Sequence, residues 1–241
     1  MKLVAFSREV FNLDCVKDHT LSQKMFKAYA DLFKDEVVDL PVTYSMKVDP
    51  GITPVVSPPR RIPAAMQKIV EQELQRMQTL GVIEPVDEPT EWVSNLVATH
   101  KKETGDVHIC IDPRNLNKAP MCPHHPMRTV EEVAAQMLGA ASFSILDAKS
   151  SFCQVRLEDA SSLRTTFTTP YGRFKFLKMP FGICTASEVF QRAMEQIFAG
   201  NPCAIIVDDI IIGGKDPDEH ERNLKKVLDR ARQVKQTESR P

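Results

Sequence analysis

Two adjacent carboxylates, Asp208 and Asp209, lie within segment 203–214, whose other residues are uncharged and mostly β-branched. The flanks are typical of two buried strands, and the Asp pair is expected at the turn between them. Two like charges at the tip of an apolar hairpin lose hydration and repel each other, so a compensating cation is expected. The pattern therefore predicts a divalent metal site with a third carboxylate nearby. A solvated turn is the simpler alternative for the pair alone.

Asp147 is the candidate third carboxylate because it ends the apolar strand predicted at 143–146. We expect this strand to pair with 205–208, which would bring the three carboxylates together. Mg²⁺ favours such oxygen ligands, and two ions about 3.5–4 Å apart stabilise the attacking and leaving oxygens of a phosphoryl transfer. A P-loop NTPase also has an apolar strand ending in Asp-Asp, but it needs the loop GxxxxGK[ST]. None of the nine glycines lies in such a loop, so we reject that alternative.

The composition excludes few partners. The chain has 241 residues, with 31 basic against 32 acidic, so any nucleic-acid surface must be a local basic patch. The six cysteines show no CxxC spacing, and no apolar run approaches the length of a membrane span. We therefore expect an intracellular protein, cytoplasmic or nuclear, with no membrane partner. Cys122, His124 and His125 are a weak zinc candidate, because no second ligand pair has suitable spacing.

The elements that must position these residues alternate irregularly. A helix is predicted from Pro63 to Gly81, strands at 93–100 and 107–111 joined by a polar turn, and a final helix from Pro217. Thr129 and Glu132 form a predicted capping box that opens another helix. Mixed strands and helices without regular βαβ alternation favour an α+β sheet with helices on one face.

Several sequence blocks stand in the order found in reverse transcriptases, and they resemble gypsy-type LTR retrotransposons in particular. The resemblance covers roughly 25–232, and its blocks are PPRRIPAAMQKIVEQELQRMQTLGVIEP, WVSNLVATHKKETGDVHICIDPRNLNK, FSILDAKSSFCQV, LKMPFGICTASEVFQ and IIVDDIII. It implies the fingers and palm of a right-hand polymerase, of class α+β, with an antiparallel palm sheet and helices packed on one face. The implied domains are a lead-in with a Pro-rich connector (1–60), fingers (about 61–124 and 155–183) and palm (about 125–154 and 184–241).

The resemblance also implies roles for the acidic residues and one aromatic. Asp147 and Asp208 would be the principal metal ligands, Asp209 the third acidic residue, and the Ala148 carbonyl would complete one metal shell. The cofactor would be two Mg²⁺ ions, with Mn²⁺ as the alternative. Phe152 falls where the family places an aromatic that excludes the sugar 2′-OH and so selects dNTPs; from the residues alone, a core position is the simpler interpretation.

The implied partners are dNTPs and a primer on an RNA or DNA template, and the oligomeric state is left open. Residues that match nucleotide-binding positions are Phe181, Gly182, Lys101, Lys102 and Arg114. A basic stretch with interleaved aromatics suggests backbone contacts to nucleic acid, and its members are Arg164, Arg173, Lys175 and Lys178. For any single surface Lys, a solvated charge is the simpler interpretation, and strand alternation alone would produce much of the basic and aromatic pattern.

Three residues depart from the family pattern. Ile206 replaces an aromatic before the Asp pair, His108 replaces an Arg that binds the triphosphate, and Pro113 replaces an aromatic within a predicted fingers strand. Thumb, RNase H and integrase sequences are also missing, so we expect a truncated fingers-and-palm polymerase. The alternative is a non-polymerising retroelement remnant that binds nucleic acid or a partner.

Overall fold

The structure is a computed structural model that describes residues 4–6, 25–33, 38–100, 107–122, 124–148 and 150–238. The strands are β1 (Val4–Phe6), β2 (Thr43–Tyr44), β3 (Ile83–Pro85), β4 (Ser94–His100), β5 (Val107–Asp112), β6 (Ser142–Asp147), β7 (Arg156–Leu157), β8 (Phe167–Thr169), β9 (Gly172–Phe176), β10 (Ala204–Ile206) and β11 (Asp209–Gly214). The α-helices used below are α1 (Ala64–Thr79), α2 (Val130–Gln136), α3 (Asp159–Arg164), α4 (Ala186–Ile197) and α5 (Pro217–Glu238). In these described segments, no helix is both long and apolar enough to cross a bilayer.

The chain divides into two compact units, each assembled from separate stretches of sequence. The first unit comprises 1–41, 124–154 and 187–241, and the second comprises 42–123 and 155–186. Because these stretches alternate along the sequence, the chain passes from one unit to the other several times. Each unit contains its own sheet.

The sheet of the first unit is antiparallel, in the order β1-β6-β11-β10. Helix α5 packs against β11 and β6. Its buried face follows helical spacing and consists of Leu224, Val227, Leu228, Ala231 and Val234. Ile210 and Ile212 of β11 are fully buried, whereas Ile211 between them is half-buried, so the sheet has one closed face and one more open face. The predicted α+β class is confirmed.

The prediction that the strand ending on Asp147 pairs with 205–208 is wrong, because that strand pairs with the following arm of the hairpin, β11. β6 pairs along its whole length with β11, and β10 forms the sheet edge beyond β11. The physical reason is length: β6 and β11 each have six residues, whereas β10 has three. The longer arm offers β6 a complete ladder of hydrogen bonds.

The sheet of the second unit has five strands in the order β3-β9-β8-β4-β5. The predicted hairpin is confirmed as the antiparallel pair β4–β5, and β4 also pairs in parallel with β8. Helix α1 packs on β5 and β3 through Val70, Leu74 and Met77. The prediction that Pro113 lies within a strand is wrong: β5 ends at Asp112, so no ladder requires the N–H that Pro113 lacks.

Candidate active site

The hairpin β10–β11 turns tightly at Val207 and Asp208. Ile206 is paired with Asp209, so Asp209 is already the first residue of β11 rather than part of the turn. Val207 has a φ of +48°. A tight hairpin turn favours positive φ, but a β-branched residue adopts it only with strain. The backbone of Val207 is therefore strained, and contacts with the surrounding structure must hold it in this conformation.

Asp147 lies directly opposite Asp209 in the β6–β11 register. Directly opposed residues project from the same face of the sheet, so the two carboxylates share the more open face. The Ala148 N–H donates to the Asp208 carbonyl at 2.7 Å, which fixes the end of β6 against the turn. The structure thus brings together the three carboxylates predicted from the sequence.

Burial is the main cause that raises the pKa of each of the three carboxyl groups. The charges of Asp209 and Asp208 raise the pKa of Asp147 further, and the charge of Asp208 does the same for Asp209. A hydrogen bond with Ser151 opposes the shift at Asp208. Within the described residues, Asp208 Oδ1 is buried and has no hydrogen-bond partner. Among the described residues, burial and mutual repulsion therefore outweigh the one hydrogen bond that favours the charged form of Asp208.

This donor set fits a hard divalent cation. Asp208 Oδ1 is buried and has no partner among the described residues, and carboxylate oxygens are the ligands that Mg²⁺ prefers. In the part of the chain that the structure describes, no group of three or more His, Cys, Asp or Glu side chains is placed so that it alone could hold a metal ion. Mg²⁺ commonly binds through one or two carboxylates with waters and substrate phosphates, so a complete protein shell is not required.

Phe152 lies in a short 3₁₀ helix at Ser151–Gln154, which begins four residues after Asp147, the last residue of β6. Its ring packs edge-on against the buried Phe190, with ring centroids 5.9 Å apart and an interplanar angle of 79°. The Phe152 ring is half-buried. This contact with a rigid core residue fixes the ring while leaving part of it accessible, so it is not simply a core residue.

The Phe181–Gly182 turn belongs to the second unit. Gly182 has a φ of +94°, and a Cβ there would lie 3.3 Å from Pro113 Cγ, so glycine is favoured by conformation and by space. Asn117 donates to the Gly182 carbonyl at 2.8 Å and accepts from the Cys184 N–H at 3.0 Å. Asn117 was missed by the sequence analysis, since a lone Asn in a loop carries no periodic or motif signal.

The predicted basic nucleotide-binding residues differ in what can be said of them. Lys101 and Lys102 lie outside the described residues. Arg114 is mostly exposed and pairs with Asp112 at 2.7 Å, while Arg60 approaches the same carboxylate at 3.0 Å. The hydrogen bond from Arg114 is the main cause that lowers the pKa of Asp112 to about 2. Arg114 is therefore an accessible guanidinium held by a carboxylate that is ionised at neutral pH.

The four basic residues predicted to contact nucleic acid do not form one exposed patch. Lys178 is buried, and Lys175 pairs with Glu84 at 2.8 Å. The Arg164 guanidinium donates to the Met46 carbonyl at 2.8 Å. Arg173 is exposed. Strand alternation produced the pattern in the sequence, and packing directs most of these charges toward protein partners.

Comparison with known proteins shows what the chain resembles. The family model described as reverse transcriptase (RNA-dependent DNA polymerase) matches residues 96–238. The chain is 32% identical over 187 residues to an uncharacterized Caenorhabditis elegans protein, covering 76% of the chain and 15% of that protein. It is 30% identical over 165 residues to the retrovirus-related Pol polyprotein from transposon gypsy of Drosophila melanogaster, covering 66% of the chain and 16% of that protein. The chain thus spans about a sixth of the length of these curated relatives.

The fold is also similar to solved structures. The prototype foamy virus protease–reverse transcriptase CSH mutant superposes with a TM-score of 0.78 at 17% identity, covering 92% of this chain and 30% of that chain. A foamy viral protease–reverse transcriptase in complex with an RNA/DNA hybrid superposes with a TM-score of 0.77 at 15% identity, covering 91% of this chain and 30% of that one. At this level of identity the likeness establishes the fold.

Proposed function

Because the chain belongs to the reverse transcriptase (RNA-dependent DNA polymerase) family, we propose that it is the fingers-and-palm part of a gypsy-type retrotransposon polymerase. The reaction would be addition of dNTPs to a primer 3′-OH on an RNA or DNA template. The first unit would be the palm and the second the fingers.

The observation that carries this proposal is the placement of three carboxylates where β6 ends beside the β10–β11 turn. Asp147 faces Asp209 in register, and Asp208, in the turn before Asp209, has a buried oxygen with no hydrogen-bond partner in the described part of the chain. Burial and mutual repulsion make the ionised carboxylates unfavourable when no cation is bound, whereas a bound cation would make their electrostatic energy favourable.

Within this site, Asp147 and Asp208 would hold two Mg²⁺ ions, with Mn²⁺ as the alternative, and Asp209 and the Ala148 carbonyl would complete the donor set. When bound, such ions lower the pKa of the attacking hydroxyl and stabilise charge on the leaving pyrophosphate. The contribution of the protein is to fix Asp147 and Asp209 opposite each other on the more open face of the sheet and to hold Asp208 in the adjoining turn. Such preorganisation avoids reorganisation during the reaction.

The remaining residues would select and bind substrate. The half-buried ring of Phe152, held by Phe190, suits a steric barrier against a ribose 2′-OH. Phe181 and Gly182 would lie close to the incoming nucleotide, since glycine permits close backbone approach. Lys101, Lys102 and Arg114 would bind its phosphates, and Arg114 is accessible for this role. Arg173 is the best placed of the four proposed nucleic-acid contacts, which are Arg164, Arg173, Lys175 and Lys178.

Primer extension with the purified chain, a primer–template and Mg²⁺ tests the proposal. The wild-type chain and Asp218→Asn, an exposed acid of α5 used as a matched control, should incorporate dNTPs. Asp208→Asn should lose incorporation. Equal incorporation by wild type and Asp208→Asn would refute the assignment of the carboxylates. Template binding without incorporation by the wild-type chain at any Mg²⁺ or Mn²⁺ concentration would refute polymerase activity and favour a non-polymerising remnant.

A further inference from the structure

Gln191 is a completely buried polar residue of α4 that the catalytic proposal does not use. Its side chain is 0% exposed. Its Oε1 accepts from the Val207 N–H at 2.6 Å, and its Nε2 donates to the Ile205 carbonyl at 3.0 Å and to Glu195 Oε1 at 2.8 Å. A buried amide with donors and acceptor all paired is a specific positional constraint.

The orientation of this amide is fixed by its surroundings. The Ile205 carbonyl and the Glu195 carboxylate can only accept, so both must face the Gln191 NH₂ group. Only the amide oxygen is then left to face the Val207 N–H. The reversed orientation would place donor against donor at Val207 and oxygen against oxygen at Glu195. The contact to Val207 is therefore set by chemistry as well as by distance.

Glu195 is itself held as an anion by two neighbours on the segment before α2. His125 Nε2 lies 2.9 Å from Glu195 Oε2, and Arg128 Nε lies 3.1 Å from Oε1. Burial alone would raise the pKa of Glu195, but the hydrogen bonds from Gln191 and His125 and the charge of Arg128 lower it. A charged acceptor strengthens the bond from Gln191 Nε2.

Gln191 thus bonds the backbone on both sides of Ile206, and one of these bonds is to the strained residue of the turn. Val207 has its φ at +48° and directly precedes Asp208. We propose that Gln191 is a positioning residue, which holds the Val207 peptide in its strained conformation and thereby sets the direction of Asp208. This inference rests on the proposed function for its catalytic consequence, but its structural consequence is independent of it.

The first test is steady-state primer extension by Gln191→Met, a substitution of similar length that removes all three hydrogen bonds. Supporting groups around a metal site typically change activity by about 10–100-fold when removed. We expect kcat to fall in that range while KM for dNTP is unchanged, because Asp208 is misdirected and the nucleotide contacts are intact. Gln196→Met, at an exposed position on the same helix, should match wild type. A KM increase with constant kcat would overturn the proposal.

The second test needs no activity. Hydrogen–deuterium exchange of peptides covering 204–210 should be faster in Gln191→Met than in wild type and Gln196→Met, since the Val207 N–H loses its acceptor. Unchanged exchange in this segment would overturn the inference. A wild-type chain without polymerase activity would refute only the proposed function. Hydrogen–deuterium exchange of 204–210 would still decide the role of Gln191.

A double variant separates positioning from general stability and covers the case in which Gln191→Met fails to fold. Glycine adopts positive φ without strain, so the turn of a Val207→Gly chain should depend less on Gln191. We expect Gln191→Met to reduce kcat several-fold less in the Val207→Gly background than in wild type. An equal or greater loss in that background, or failure of the double variant to fold, would contradict the role assigned to the strained turn.

Discussion

Gly214, the last residue of β11, should be intolerant of any side chain. A Cβ at this position would lie 2.4 Å from the backbone nitrogen of His220, 2.6 Å from its Cα and 2.7 Å from its Cβ. Ordinary contacts of this kind are about 3.5–4.0 Å. These atoms are the backbone N and Cα of His220, in the first turn of α5, and its Cβ, whose position the backbone fixes. No side-chain rotation therefore relieves the overlap. In Gly214→Ala, α5 must therefore shift away from β11 by about 1 Å.

The expected cost follows from the packing of α5. Forcing extra atoms into a packed interior costs about 1–3 kcal/mol, and the fixed backbone here places Gly214→Ala at the upper end, about 3 kcal/mol. For a chain of this size that loss lowers the melting temperature by roughly 6–12 °C. Since α5 supports the strand that begins with Asp209, primer extension should also fall.

Thermal unfolding followed by circular dichroism measures this effect, with Gly213→Ala as the matched control. A Cβ on Gly213 would meet Ala140 Cβ and Met137 Sδ at 3.0 Å, and the flexible methionine can move. We expect Gly213→Ala to lose about 1 kcal/mol or less. A Gly214→Ala protein that melts with or above the Gly213→Ala protein would refute the packing described for β11 and α5.

Two further predictions test other parts of the structure. Burial, together with the hydrogen bond to Asp229 at 2.6 Å, raises the pKa of Tyr29 to about 12. Because this pKa exceeds the ordinary value, the folded state holds the phenol proton more tightly than the unfolded state does. The resulting stabilisation is complete below about pH 10 and is lost as pH rises toward 12. In an ultraviolet titration, wild type should show a phenol that titrates late and is absent from Tyr29→Phe, and a Tyr29 midpoint near 10 would contradict this. Asn117→Ala removes one hydrogen bond to the Gly182 carbonyl and one from the Cys184 N–H, both of which hold the Phe181–Gly182 turn and the residues after it. This variant should raise KM for dNTP by about 5- to 30-fold with a smaller change in kcat, whereas Asn115→Ala should have no effect. Equal KM values for both variants would refute the role of the turn.

Much of the fold could be predicted because local signals agree with it. The capping box of α2 forms as expected, with Glu132 N donating to Thr129 Oγ1 at 3.2 Å and Thr129 N donating to Glu132 Oε2 at 2.9 Å. The β4–β5 hairpin and helix α1 also follow directly from hydrophobic periodicity. These features depend on residues close in sequence.

The features that could not be predicted depend on distant residues. Nothing in the alternation of β6 distinguishes β10 from β11 as its partner, because both arms of the hairpin are apolar. The choice depends on the matched length of β6 and β11, which appears only when the turn at Val207 is placed. The same holds for Gln191, whose polar side chain on a helix predicts exposure, whereas tertiary packing buries it against the hairpin.

The predicted roles of basic residues show a second limit of sequence reasoning. Alternation on β9 and its flanks cannot tell an exposed lysine from one that is paired or buried. Lys175 pairs with Glu84 because β3 and β9 are adjacent, with Glu84 directly opposite Lys175 in the register. That pairing joins segments about ninety residues apart, so no local pattern contains it.

Asp147, Asp208 and Asp209 are proposed to bind a divalent cation. Titration of the purified chain with Mn²⁺, followed by the electron paramagnetic resonance signal of the free ion, measures this binding. The titration should be made above the raised pKa range of these carboxyls, because protons compete with the metal. We expect wild type and Asp218→Asn to bind Mn²⁺, and Asp208→Asn to bind it at least about tenfold more weakly, since removing even a supporting group costs that much. Equal Mn²⁺ affinity of Asp208→Asn and wild type would show that Asp208 is not a metal ligand.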